Sequence, residues 1–239
     1  MLPENSIDAF MKAVDLKVPG IELDIQWLTD GAVAVWHDET PGRFFIPPDS
    51  GPDAPIRSLD TRELKALVPR DENGHPGIPL LSEVFEALQN RIKIDIEIKY
   101  YELPASGQLT GLMDMIENSG MTESCIVSSF DPRILMAWKQ TGSPVPCGLI
   151  FDPGSKSRIT KEAPWEQALS ICDFEKPEYT MTEDIAGGIG RGRTVIPWTV
   201  DDAETGMELI DKGVRGIITN TPQSYRRLLT RSSAINFPS

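Results

Sequence analysis

The sequence predicts a single α/β domain of the (β/α)8-barrel class. Strand-like and helix-like runs alternate along the chain, which implies parallel strands with helices packed outside them. The length of 239 residues lies near that of one such barrel, roughly 250. No internal repeat and no compositional break marks a second domain, so residues 1–239 read as one unit.

Taken in order, a helix is predicted over Ser6–Leu16, with Asn5 or Ser6 as its N-cap behind Pro3. Strands follow at Ile21–Trp27 and Ala32–Trp36, joined through Asp30-Gly31, a strong hairpin signal. The Pro/Gly/Asp-rich stretch Pro41–Pro55 reads as a long lid or binding loop. Helices are expected at Thr61–Leu67 and Leu81–Leu88. Six further strands are expected at Ile92–Ile98, Cys125–Phe130, Cys147–Phe151, Ser170–Phe174, Val195–Val200 and Gly216–Thr219. Between and after them, helices are predicted at Leu109–Asn118, Pro132–Gln140, Glu183–Gly187, Ala203–Lys212 and Gln223–Thr230.

Composition narrows the function. A net charge of −13 argues against nucleic acid or an anionic membrane as the main partner, because both require a positive footprint. A phosphorylated small molecule stays open, since a divalent cation can supply local positive charge. No run of 18 apolar residues suggests stable membrane insertion, and the oligomeric state is left open. Cys125, Cys147 and Cys172 each lie in an apolar run without framework spacing. They read as free thiols of a reducing, cytoplasmic setting.

The chemistry concentrates in two strands. Ile21-Glu22-Leu23-Asp24-Ile25-Gln26 and Ile94-Asp95-Ile96-Glu97-Ile98-Lys99 both alternate with period two. Alone, that pattern describes a half-exposed antiparallel strand. Within a barrel the outer helices cover the isoleucines, so the charged faces turn into the lumen, where barrel active sites lie at the C-terminal strand ends. Carboxylates crowded at low dielectric repel one another unless a cation or protons compensate. Glu22, Asp24 and Glu97 offer oxygen ligands only, which suits a hard ion, Mg²⁺ or Ca²⁺. Lys99 faces a phosphate or pairs with a carboxylate.

Only two histidines are present. If Asp30-Gly31 forms a type I′ turn, Thr29 pairs with Ala32 and Asp24 with His37. If instead the strands run parallel through an irregular descent, His37 ends its strand at the rim where Asp24 ends its own. Either way it is the candidate catalytic residue, a general acid or base. His75, in the turn-forming run Asn73-Gly74-His75-Pro76-Gly77, reads as structural.

Several blocks in order resemble the glycerophosphodiester phosphodiesterase family. They are Pro3-Glu4-Asn5-Ser6 with Ala9-Phe10, Ile21-Glu22-Leu23-Asp24, Thr29-Asp30-Gly31, His37-Asp38-Glu39-Thr40, Ile78 to Val84, Ile96-Glu97-Ile98-Lys99, Ser128-Ser129-Phe130-Asp131, Trp198-Thr199-Val200-Asp201-Asp202 and Gly216-Ile217-Ile218-Thr219. The resemblance implies a TIM-barrel enzyme that uses a divalent metal to cleave glycerophosphodiesters to glycerol 3-phosphate and an alcohol. It assigns Glu22, Asp24 and Glu97 to the metal and His37 to catalysis, and makes Lys99, Phe130 and Trp198 pocket-lining, substrate-binding positions. The family's first motif, His-Arg-Gly on the first barrel strand, lies just before Pro-Glu-Asn, whereas this sequence begins at Met1. Because the other blocks are intact, truncation is favoured over a barrel that has become a binding protein. The expected fold is a TIM barrel lacking its first β-strand, of impaired activity and open along two strand edges.

Overall fold

The computed structural model describes residues 2–46, 53–71, 75–99, 103–162 and 164–225. Helix α1 (Ile7–Asp15) starts at Ser6, whose hydroxyl accepts from the Ala9 amide at 3.2 Å. Strand β1 (Gly20–Trp27) then enters the centre of the molecule and turns back into β2 (Val33–Val35). The short strands β3 (Phe45–Ile46) and β4 (Val68–Pro69) pair with each other outside the main sheet, on either side of α2 (Thr61–Lys65). Asp60 and Glu63 close a capping box on α2, each side chain accepting from the other's backbone amide.

From α3 (Leu81–Leu88) onward the chain keeps the βα rhythm. It runs through β5 (Lys93–Ile98), α4 (Ser106–Asn118), β6 (Cys125–Ser129), α5 (Pro132–Gln140) and β7 (Cys147–Phe151). Two consecutive helices follow, α6 (Pro153–Glu162) and α7 (Trp165–Ser170). Then come β8 (Phe174–Pro177), α8 (Thr182–Gly190), β9 (Thr194–Val195) and α9 (Ala203–Asp211). The main sheet has the order β2-β1-β5-β6-β7-β8-β9, all neighbours parallel except the β1–β2 hairpin.

The core explains the handedness of the two charged strands. Leu23, Ile25, Ile94, Ile96 and Ile98 are fully buried against Phe10, Val84, Leu88, Leu112 and Ile116 of the surrounding helices. Each such side chain contributes roughly 1.5–3 kcal/mol by leaving water. A one-residue slip would exchange them for carboxylates, so this burial fixes which face turns inward.

Four expectations are corrected. The hairpin register is Ile25–Val35, Gln26–Ala34 and Trp27–Val33, so Asp24 lies opposite Trp36 and not His37. Leu28 bonds Ala32 across a three-residue loop, 2.8 Å from amide to carbonyl, and Gly31 takes φ +85° within it. That is the glycine-bulge loop, one residue longer than the type I′ turn. The predicted strand Ser170–Phe174 is the end of α7 followed by the start of β8. Its apolar Ile171 and Cys172 face the helical layer, and the true strand was hidden by Glu175 and Lys176. Val195–Val200 is strand only at its start, because Pro197 has no amide to give the ladder. Gly216–Thr219 forms no regular strand, although Ile218 bonds Pro197 and Val200 at 2.9 and 2.8 Å.

Helix α6 had no counterpart in the sequence reading. Its run PGSKSRITKE carries little apolar periodicity, and among its described side chains Ile159 is the deeply buried one. The predicted helix Gln223–Thr230 is a 3-10 turn over Pro222–Tyr225, and residues 226–230 lie outside the described ones. Residues 47–52 of the expected Pro41–Pro55 loop lie outside them as well.

Candidate active site

Strands β1 and β5 run parallel, with Glu22 beside Asp95 and Asp24 beside Glu97. All four carboxylates therefore line one cavity of about 820 Å³ inside the sheet. Glu22, Asp24 and Glu97 each offer an oxygen within 4.8 Å of the others. Lys99, at the end of the same face, pairs with Glu97 at 2.9 Å and Asp24 at 3.2 Å. Its ammonium offsets part of the negative charge, and burial together with the remaining charge favours the protonated carboxyls. Burial holds the Glu22 carboxyl well above the usual range, and neighbouring Asp24 pushes it further against the pull of Lys176. Glu97 is raised for the same reasons, burial first and Asp24 second, with Lys99 and Lys176 opposing. An all-oxygen cluster that resists full ionisation fits a hard divalent cation.

Asn5 orients the cluster. It adopts φ +51°, so Ser6 rather than Asn5 caps α1 and the Asn5 side chain turns inward. Its amide donates to Asp24 Oδ2 at 2.8 Å and its carbonyl accepts from the Asp24 amide at 3.2 Å. The sequence marked this residue as a helix cap and as part of a family-like block, without a contact to the carboxylates. The left-handed conformation that asparagine tolerates better than most residues was the available signal.

Below the cluster lies a second charged group that the sequence reading did not assign. Lys176 of β8 is fully buried and pairs with Asp95 at 2.7 Å, while Ser128 of β6 bonds both at 2.7 and 3.0 Å. Burial works to lower the Lys176 ammonium, and Asp95, Glu22 and Glu97 more than offset it, so its pKa is raised. A Glu-Lys pair inside a run that must be a buried strand was the signal. Its partner Glu175 faces the opposite way, to Arg191 and Arg193.

His37 follows β2 and lines the same cavity with its side chain half exposed. Gln26, the third polar residue of the β1 inner face, donates to the carbonyls of Trp36 and Asp38 at 2.9 and 2.7 Å, which holds the intervening His37 at the rim. The His37 Nδ1 lies 2.8 Å from Asp38 Oδ1. Asp38 is itself fixed by Arg43 at 2.7 Å, and Arg43 also pairs with Glu4. Neither expected route is taken: the strands are antiparallel with a register one residue off the type I′ pairing, and His37 lies just past the end of β2, where it lines the same cavity as the carboxylates.

Phe130 and Trp198 meet edge to face at 5.4 Å on the cavity wall. Trp198 is anchored by a 2.8 Å bond from its indole nitrogen to the Lys176 carbonyl. His75 lies elsewhere, buried among Trp36, Phe44 and Phe45 with Nε2 at 2.8 Å from the Glu4 carbonyl. Gly20–Ile21 of β1 and residues 216–220 also line the cavity, with no described strand between them, as do Ala9, Phe10 and Ala13 of α1. The β1 edge that the sequence predicted to be open is covered by β2 over Ile25–Trp27.

Fold and site together define an α/β barrel with an acidic lumen centre. Comparison with known proteins gives the family: the chain belongs to the glycerophosphoryl diester phosphodiesterase family, whose model matches residues 1–224. A glycerophosphodiester phosphodiesterase of Caldanaerobacter subterraneus subsp. tengcongensis is 31% identical over 238 residues, covering 96% of this chain and 93% of the relative. The solved glycerophosphodiester phosphodiesterase of Thermotoga maritima superposes with a TM-score of 0.66 at 25% identity, covering 95% of this chain and 91% of that one. A phosphodiesterase of Oleispira antarctica, solved in complex with the product sn-glycerol-3-phosphate, gives 0.72 at 18% identity over 97% and 92% of the two chains. Among the described residues, no helix is long and apolar enough to cross a membrane.

Proposed function

We propose that this chain hydrolyses glycerophosphodiesters to glycerol 3-phosphate and an alcohol, with a divalent cation held by Glu22, Asp24 and Glu97. The observation that carries the reading is the convergence of these three carboxylates within 4.8 Å, in the cavity that His37 also lines. The Oleispira relative holds glycerol 3-phosphate, which supports the same ligand class here.

When bound, Mg²⁺ or Ca²⁺ supplies positive charge against the phosphoryl oxygens and makes a hydroxyl group more acidic. The protein's own residues do the rest. Asn5 and Lys99 fix Asp24 and Glu97, and Lys99 offers its ammonium to the substrate phosphate as that phosphate enters. His37, oriented through Nδ1 by Asp38, exchanges a proton with the reacting oxygen through Nε2. Phe130 and Trp198 form an apolar wall that places the glycerol backbone and keeps water from the rest of the cavity. The buried free thiols fit work in a reducing, cytoplasmic compartment, in the turnover of lipid-derived glycerol phosphates.

The test is release of glycerol 3-phosphate from glycerophosphocholine and glycerophosphoethanolamine, with Mg²⁺, with Ca²⁺ and after chelation. Release that depends on cation and disappears in a Glu22→Gln/Asp24→Asn double variant is expected. Equal release with and without chelator overturns the metal assignment, and no release under any condition overturns the activity.

A further inference from the structure

We infer that Lys176 is a positioning residue for the lumen carboxylates: it keeps Asp95 out of the cation's ligand set and leaves the site the charge of one divalent ion. The inference rests on the reading of Glu22, Asp24 and Glu97 as the cation's ligands.

Asp95 has the location of a fourth ligand. It is the neighbour of Glu22 across the β1–β5 ladder, points into the same cavity and is only two residues from Glu97. Its oxygens are nevertheless both committed to protein. Oδ1 accepts from the Ser128 hydroxyl at 2.7 Å and Oδ2 faces the Lys176 ammonium at 2.7 Å. Lys176 is held in turn by a second contact to Ser128 at 3.0 Å, and Trp198 grips its carbonyl.

A buried ammonium is costly unless it is paired and hydrogen-bonded, and Lys176 is paired with Asp95 and hydrogen-bonded to Ser128. Across the described lumen, the carboxylates Glu22, Asp24, Asp95 and Glu97 face the ammonium groups of Lys99 and Lys176. With all four ionised, as a bound cation would hold them, the carboxylates outnumber these two ammonium groups by two, the complement of one divalent cation. Without Lys176 the cluster would gain a carboxylate, Asp95, that has lost its ammonium partner. A richer carboxylate set binds divalent ions more tightly and favours Ca²⁺, which takes more oxygen ligands than Mg²⁺.

Calorimetric titration of Mg²⁺ and of Ca²⁺ into the chelator-stripped full chain tests this with four proteins: wild type, Lys176→Met, Asp95→Asn and the double variant. Lys176→Met should bind cations at least about 10-fold more tightly, with the larger gain for Ca²⁺. Asp95→Asn should bind about 10-fold more weakly, because it leaves an unbalanced ammonium beside the site. The double variant should return to within about 3-fold of wild type, a coupling that simple structural damage does not produce. If Lys176→Met does not fold, unchanged affinity in Asp95→Asn is sufficient to overturn the inference. Weaker binding in both single variants also overturns it. Absence of binding to wild type removes the metal reading itself and this inference with it, whereas wild-type binding with unchanged variants removes the inference alone.

Discussion

His37 and His75 flank the same tryptophan and live in opposite surroundings. His37 follows Trp36 in the chain, keeps about half its side chain exposed and lines the carboxylate cavity against Asp38. His75 packs its ring 5.2 Å from that of Trp36 on the far side, is 1% exposed and stays out of the cavity. Burial lowers the pKa of His75, with the Glu4 and Gly77 backbone opposing, which favours the neutral imidazole. Proton transfer needs access to substrate and a polar partner. An imidazole buried in an aromatic cluster offers shape and hydrogen bonding to the backbone. The comparison teaches that histidine scarcity limits the candidates, and that environment chooses between them.

The largest expected effect lies at the carboxylates beside His37. The Glu22→Gln/Asp24→Asn chain should lose at least about 100-fold in cation affinity, since even outer-shell changes at metal sites cost 10–100-fold. Calorimetry measures it, and retained affinity would detach the His37 region from metal chemistry. Next, His37→Ala should lower kcat by about 10²–10⁴ while cation affinity stays within about 2-fold. An active His37→Ala enzyme would reduce the two histidines to the same structural role.

His75→Ala sharpens the contrast from the other side. It should cost about 2 kcal/mol of stability through the lost packing and the lost bond to Glu4, with cation affinity unchanged. Thermal melts with parallel Mg²⁺ titration decide it; a stable variant with weakened cation binding would place His75 in the site.

The smallest effect is in the pH dependence, where the two regions have opposite signs. Glu22 and Glu97 have raised folded values, so between the ordinary carboxylate range and those values the native state binds more protons than the unfolded state, and the metal-free chain loses stability as pH rises. Saturating cation should therefore raise Tm more at about pH 7.5 than at about pH 5. His75 has a lowered folded value, so stability falls as pH drops through its ordinary 6.5. His75→Phe should flatten that acid-side slope alone. Equal cation shifts at both pH values would show that the carboxylates ionise freely without a metal.

The site was legible where periodicity and burial agree. In β1 and β5 every second residue is apolar, and full burial of Leu23, Ile25, Ile94, Ile96 and Ile98 puts Glu22, Asp24, Glu97 and Lys99 in the lumen as expected. Helices α3 and α5 and strand β7 have the predicted bounds, each with clear flanking signals such as the Asp131 cap and Pro132 at the start of α5. Legibility failed in β8. A buried strand with Glu175 on one face and Lys176 on the other has no apolar alternation, and both charges are tolerated because their partners come from distant segments.

By itself, the sequence determined the α/β class and the carboxylate faces of β1 and β5, because these depend on local period and side-chain chemistry. Tertiary structure alone decided the hairpin register that sets Asp24 opposite Trp36, the turn of Asn5 onto Asp24, and the Lys176–Asp95–Ser128 network. Those contacts join residues up to 81 positions apart, between Asp95 and Lys176. No local pattern encodes such a pairing. It follows from which strands the barrel brings side by side, and from the need of each buried charge to find a partner there.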